Sequence, residues 1–218
     1  MRPALLADVL RDPEQVVRAC HDEGAEAEIV ATTLVAIVVS GAAFGAVLGL
    51  RTSALQAVLS AIKLPLATLL ALALSGPALH ALAAISGKRW RFRTVLAVMS
   101  TAGARASLVL LAATPVLLLL VTFGQSYAVV KLCAVLAYAL AGRSALAVLV
   151  ASLGPRRALS VATFVGIFFV AGAQSAWVLR PYLGRPDLGP VPVVATGAEG
   201  GLGTAVLEAA RSALSQRP

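Results

Sequence analysis

No aspartate or glutamate occurs between Glu28 and Asp187, a stretch that makes up most of the 218 residues. That absence excludes from the stretch a carboxylate proton relay, an intramembrane aspartyl protease, paired glycosidase acids and a zinc-binding helix with a glutamate base. Charge is scarce throughout, at 13% of residues, where a soluble domain carries roughly 25%. Cysteine is nearly missing: Cys20 and Cys133 lie far apart, with neither the pairing of a disulfide framework nor the spacing of a metal site. Cys133, inside an apolar run, reads as a packing residue. No Gly-x-Ser-x-Gly nucleophile motif accompanies the serines or His80. His80 reads as a packed helix residue, and no cofactor or metal is expected.

What the chain does have is apolar sequence. Hydrophobic residues make up 59% and the mean hydropathy is +0.90, so a water-facing surface cannot be assembled from it. The expected fold class is all-α: an integral membrane helical bundle of about five transmembrane helices with amphipathic interfacial helices. The formal charge of +8 does not point to nucleic acid, because the cations lie between apolar runs, where they report orientation and contact with anionic headgroups. Arginine outnumbers lysine and alanine is abundant, a composition suggestive of a GC-rich bacterial genome.

Three regions follow. Residues 1–28 form an amphipathic cytoplasmic leader, in which Asp12 caps a helix begun by Pro13 and Val16, Val17 and Cys20 share one side. Its acids distinguish it from a secretory signal. Residues 29–180 form the membrane domain, and 181–218 an extracytoplasmic tail with one weak amphipathic helix at about 204–214. The first span is Ile29 to Leu50, charge-free and long enough for a hydrocarbon core that needs about 20 residues. Leu55, Val58, Leu59 and Ile62 alternate with Ser53, Gln56, Ser60 and Lys63 at helical spacing, which predicts a short helix lying in the interface. Leu64 to Ile85 is the second span, kinked at Gly76 and Pro77. Residues 94–123 are too long for an untilted crossing and contain Arg105 and Pro115. Either they form one tilted, broken helix, or 94–104 lie on the surface and the span starts near Ala106. Tyr127 to Leu149 and Leu159 to Leu179 complete the set, with Trp177 and Tyr182 as interfacial anchors.

With the N-terminus inside, nine Lys and Arg flank the spans on the inner side and four on the outer. The positive-inside rule therefore puts the N-terminus in the cytoplasm and the tail outside.

Within a membrane free of carboxylates, Lys63, Arg105, Lys131 and Arg143 must reach headgroups, carbonyls, an anion or a partner, since an unpaired cation there costs at least ~2.5 kcal/mol. Lys63, Lys131 and Arg143 lie close enough to span ends to snorkel. Arg105 is the candidate for an anion or partner contact. Gly41, Gly45 and Gly49, at four-residue spacing, offer a flat groove to another helix, either within the chain or in a homo-oligomer or other membrane subunit.

Two runs, Ser60 to Leu66 (SAIKLPL) and Trp177 to Pro186 (WVLRPYLGRP), together with the spans between them, resemble a family of bacterial polytopic inner-membrane proteins, loosely similar to the Yip type. The resemblance implies an inner-membrane location and no particular activity. It marks Lys63 with Pro65, and Arg180 with Pro181 and Gly184, as candidate anion, lipid or partner contacts. Each pairs a cation with a helix-breaking proline at the expected outer surface. The functional expectation is a non-enzymatic scaffold or accessory subunit; the alternative is a small permease or channel-like protein for an anion or lipid.

Overall fold

The computed structural model of the protein describes residues 3–22, 24–154 and 158–178. Among these are seven helices and no strand: α1 (Pro3–Arg11), α2 (Pro13–Ala19), α3 (Glu26–Leu50), α4 (Ala54–Ile85), α5 (Phe92–Thr122), α6 (Tyr127–Leu153) and α7 (Ala158–Val178). The all-α helical bundle expected from composition is what forms. Four helices, in α3 to α6, are long and apolar enough to cross a membrane, and α7 adds the shorter apolar stretch Leu159–Gly172. The tail, with Arg180, Pro181, Tyr182 and Gly184, residues Arg156 and Arg157, and the side chain of Trp177 lie outside the described residues.

The helices run up and down. One end gathers the start of α3, the end of α4, the start of α5 and the end of α6: Thr94 donates to Glu26 Oε1 at 2.6 Å, and Lys88 Nζ donates to the carbonyl of Ser152. Ser86 and Ser160 join α7 to the same end at 3.2 Å. The opposite end is tied by Arg51, whose guanidinium donates to the carbonyl of Gln125 at 2.6 Å.

The α3–α4 pairing is made by small residues. A β-carbon on Gly45 would press into the backbone of Ser60, and one on Gly49 into that of Gln56 and Ala57; at Gly41 it would meet Pro65 at 3.4 Å. The glycine groove is thus filled from within the chain by α4, which approaches closely because nothing larger than hydrogen intervenes.

One expectation is revised and one open alternative is decided. The segment after Ser53 is not a separate surface helix but the first part of α4, which continues through Pro65 and Pro77. Its polar face is the buried one: Gln56, Ser60 and Lys63 are inside, while Leu55, Val58 and Ile62 are more than half exposed. In lipid an amphipathic helix turns its polar stripe toward the protein, because apolar side chains lose nothing by facing acyl chains. Of the two alternatives for residues 94–123, the single long helix is the one that forms: α5 runs from Phe92 to Thr122 through Pro115. Residues 94–104 do not lie on the surface: ten of these eleven residues are buried, Leu96 being the exception.

Candidate functional site

The burial of the first half of α5 has a specific cause, which is the leader. Asp12 caps α2 by accepting from the Gln15 amide at 3.0 Å, with Pro13 at the first helical position. That turn lets α1 and α2 lay one apolar side against the bundle. Val9, Val16, Val17 and Cys20 are buried with Ile29 of α3, Ala97, Val98 and Ala102 of α5 and Val148 of α6. The Cys20 thiol meets the Thr101 hydroxyl at 3.8 Å.

Arg105 completes this docking. Its guanidinium donates to the carbonyl of Val9 at 2.9 Å. Val9 lies in the last turn of α1, where carbonyls lack an intrahelical donor and the helix dipole is negative. The cation that the sequence left without a carboxylate is therefore met by a helix C-terminus of its own chain, with Nε buried and unpartnered. At 1.5 Å per residue this contact lies about 20 Å along α5 from Phe92, so the leader reaches deep beside the bundle.

Next to the docked leader the hydroxyls of Thr33 and Ser100 are buried and hydrogen-bonded. Thr33 donates to Ser100 Oγ at 2.9 Å and lies within 2.7 Å of the Ile29 carbonyl; Ser100 in turn bonds the Ala97 carbonyl at 3.1 Å. Such back-bonded hydroxyls join helices without leaving a donor bare in a low-dielectric interior. Burial pushes the Cys20 thiol up to about 11, against the lowering effect of its Thr101 contact and with a smaller push from Glu26. His21, which packs its ring 5.5 Å from that of Trp90, is held below the usual histidine value by burial first and by Lys88 second. The Lys88 ammonium sits 5.3 Å from the Trp90 ring.

The sequence-derived candidates do not converge on one site. Lys63 is fully buried on the inner face of α4 with Gln56 and Ser60, and Pro65 packs against Gly41. Lys63 lies about 14 Å along α4 from its Ala54 end, in the half of the bundle away from the leader, so Lys63 and Arg105 belong to different environments. His80 is half-buried, with its ring edge-on to Phe92 at 6.0 Å and Nδ1 unpartnered. Cys133 packs beside a core cluster that includes Leu110 and Leu117. Lys131 and Arg143 are exposed. Among the described residues no three His, Cys, Asp or Glu side chains group as a metal site.

The Thr94–Glu26 bond and the placement of the leader on α5 and α6 were not foreseen. The stripe Val16–Val17–Cys20 was the available signal, since an apolar face on a leader needs a partner surface.

These features define a class: a multi-pass α-helical membrane protein with its amphipathic leader folded onto the bundle. Comparison of the chain with protein-family models, curated proteins and solved structures gave no match.

Proposed function

We propose that this chain is a non-enzymatic scaffold or accessory subunit of a membrane complex, resident in a bacterial inner membrane with its N-terminus in the cytoplasm. The observation that carries the reading is the use made of Arg105. It serves the fold by holding the leader's Val9 carbonyl, which removes the chief sequence candidate for handling an anion. The missing carboxylates across residues 29–186 agree, since general acid–base chemistry has few groups left to use there. The cations at the Glu26 end, Lys88, Arg89, Arg91 and Arg93, support a cytoplasmic assignment for that end. The partners in view are anionic lipids, a second copy or other membrane subunits, and no nucleic acid.

The test is purification in mild detergent from the native membrane with quantitative mass spectrometry of what accompanies the chain. A membrane subunit or a second copy retained at fixed stoichiometry, and lost from the membrane when this chain is deleted, is the expected result. Purified protein that is monomeric, partnerless and conducts chloride or phosphate in liposomes contradicts it.

A second reading, a small permease for an anion or lipid, draws on one observation: the Gln56, Ser60 and Lys63 stripe lies wholly inside the bundle. That reading requires anion flux in liposomes that Lys63→Met abolishes.

A further inference from the structure

With 27 residues, α6 is about 40 Å long, about 10 Å more than a hydrocarbon core of about 30 Å. Part of it must stand outside the acyl chains, and its two exposed cations indicate which part. Lys131 stands about 6 Å beyond Tyr127 and Arg143 about 15 Å before Leu153, and both are exposed. Between them, over about 18 Å of helix, Leu132, Val135, Leu136 and Leu140 are each more than half exposed. After Arg143 no large apolar side chain of α6 is exposed. Cations that reach towards opposite headgroup layers make up the remaining thickness.

The neighbouring helices change character in the same way. On α3 the exposed large apolar residues run from Val35 to Leu50, and nearer Glu26 the exposed residues are Ala31, Glu28 and Ala27. On α5 no large apolar side chain is exposed between Leu96 and Leu111. The leader crosses these three helices where their outer surfaces change. Leu6 packs beside Ile37 and Ala104, Arg105 holds Val9, and Val17 lines a groove with Leu146 and Val150 of α6. Outward it turns Arg11, Asp12, Glu14, Gln15 and Arg18, all exposed. Such a row is costly against acyl chains, whereas an amphipathic segment suits the interface. On the other side α7 packs mainly on α4 and stays apolar, with Leu159, Val165 and Ile167 exposed. Val165 is about 8 Å from Ser160, which meets Ser86 at the Glu26 end.

We propose that the outer face of the leader is a membrane-interface surface that sits in the phospholipid headgroup layer. On this side the edge of the acyl chains meets the bundle at the leader and at Arg143, short of Leu153 and Glu26, so the bilayer is thinner here than beside α7. The inference holds for either orientation of the chain and does not rest on the scaffold reading.

The test is power-saturation electron paramagnetic resonance on single nitroxide-labelled cysteines. The sites are Gln15→Cys, Gly142→Cys, Leu136→Cys and Val165→Cys, each in a Cys20→Ala, Cys133→Ser background of the full chain. The vesicles are dioleoyl phosphatidylcholine with dioleoyl phosphatidylglycerol. All four positions are exposed, and a β-carbon at Gly142 meets nothing within 4 Å, so the labels leave the packing intact. Oxygen, which concentrates among acyl chains, should relax the Leu136 and Val165 labels more than a water-soluble nickel chelate does. At Gln15 the order should reverse, and Gly142, about 17 Å from Leu153, should fall between. Oxygen dominance at Gln15 and Gly142 equal to that at Leu136 would put the leader among acyl chains and overturn the proposal. So would shielding of Gln15 from both reagents, the mark of a protein partner on that face, or nickel dominance at Val165.

Discussion

Gly45 and Gly41 look alike in the sequence but occupy different surroundings. A β-carbon at Gly45 would strike the backbone of Ser60, which has no side-chain freedom with which to yield, whereas at Gly41 it would rest on Pro65 at 3.4 Å. Gly45→Ala should therefore push α3 and α4 apart at a cost of about 1–3 kcal/mol. Gly41→Ala should be near neutral, the close contact offset by alanine's better helix propensity of about 1 kcal/mol. Thermal unfolding of the two variants in detergent, followed by circular dichroism, checks the contrast. The Glu26–Thr94 bond is a second residue-scale case. Thr94→Val leaves a buried carboxylate short of a donor and should destabilise by about 1–3 kcal/mol, while Thr94→Ser should restore most of the loss.

At the scale of elements, what could be read from sequence depended on whether the signal was local. The α2 cap was legible because Asp12 and Pro13 act on the backbone beside them. The apolar runs of α3 to α6 were legible because length and hydropathy suffice for a span. The first part of α4 was misassigned for a physical reason: periodicity reveals two faces but not which solvent each meets, and lipid reverses the arrangement that water imposes. The first half of α5 was ambiguous because its cover comes from residues some eighty positions away, Cys20 on Thr101 among them. Arg105 stood out in the sequence, but the carbonyl that satisfies it did not.

The leader's turn also carries a pH response. Glu26, Asp22 and Lys88 are the charged groups acting on His21, and burial with Lys88 outweighs the two acids. A histidine whose folded value is lowered adds stability that is fully present above about pH 6.5, its unfolded value, and is lost as pH falls through the folded value. Acidification should thus loosen the contact with Trp90. In a Trp177→Phe background, Trp90 fluorescence should titrate with a midpoint below about 6.5, and His21→Phe should flatten the curve.

At the scale of the whole molecule, the leader is part of the membrane domain. Four long apolar helices supply the spans, and α1 and α2 close over the half of the bundle where α5 is most buried. Alkylation of Cys20 by a maleimide, in a Cys133→Ser background in native membranes at about pH 8, tests this directly. With its thiol buried and pushed from 9.0 up to about 11, the thiolate fraction alone slows the reaction about a hundredfold relative to an ordinary cysteine. Docking predicts that the intact protein resists labelling, that unfolding in dodecyl sulfate releases it, and that Arg105→Ala speeds labelling in the membrane. Labelling of the native protein as fast as the unfolded chain, unaltered by Arg105→Ala, would contradict it.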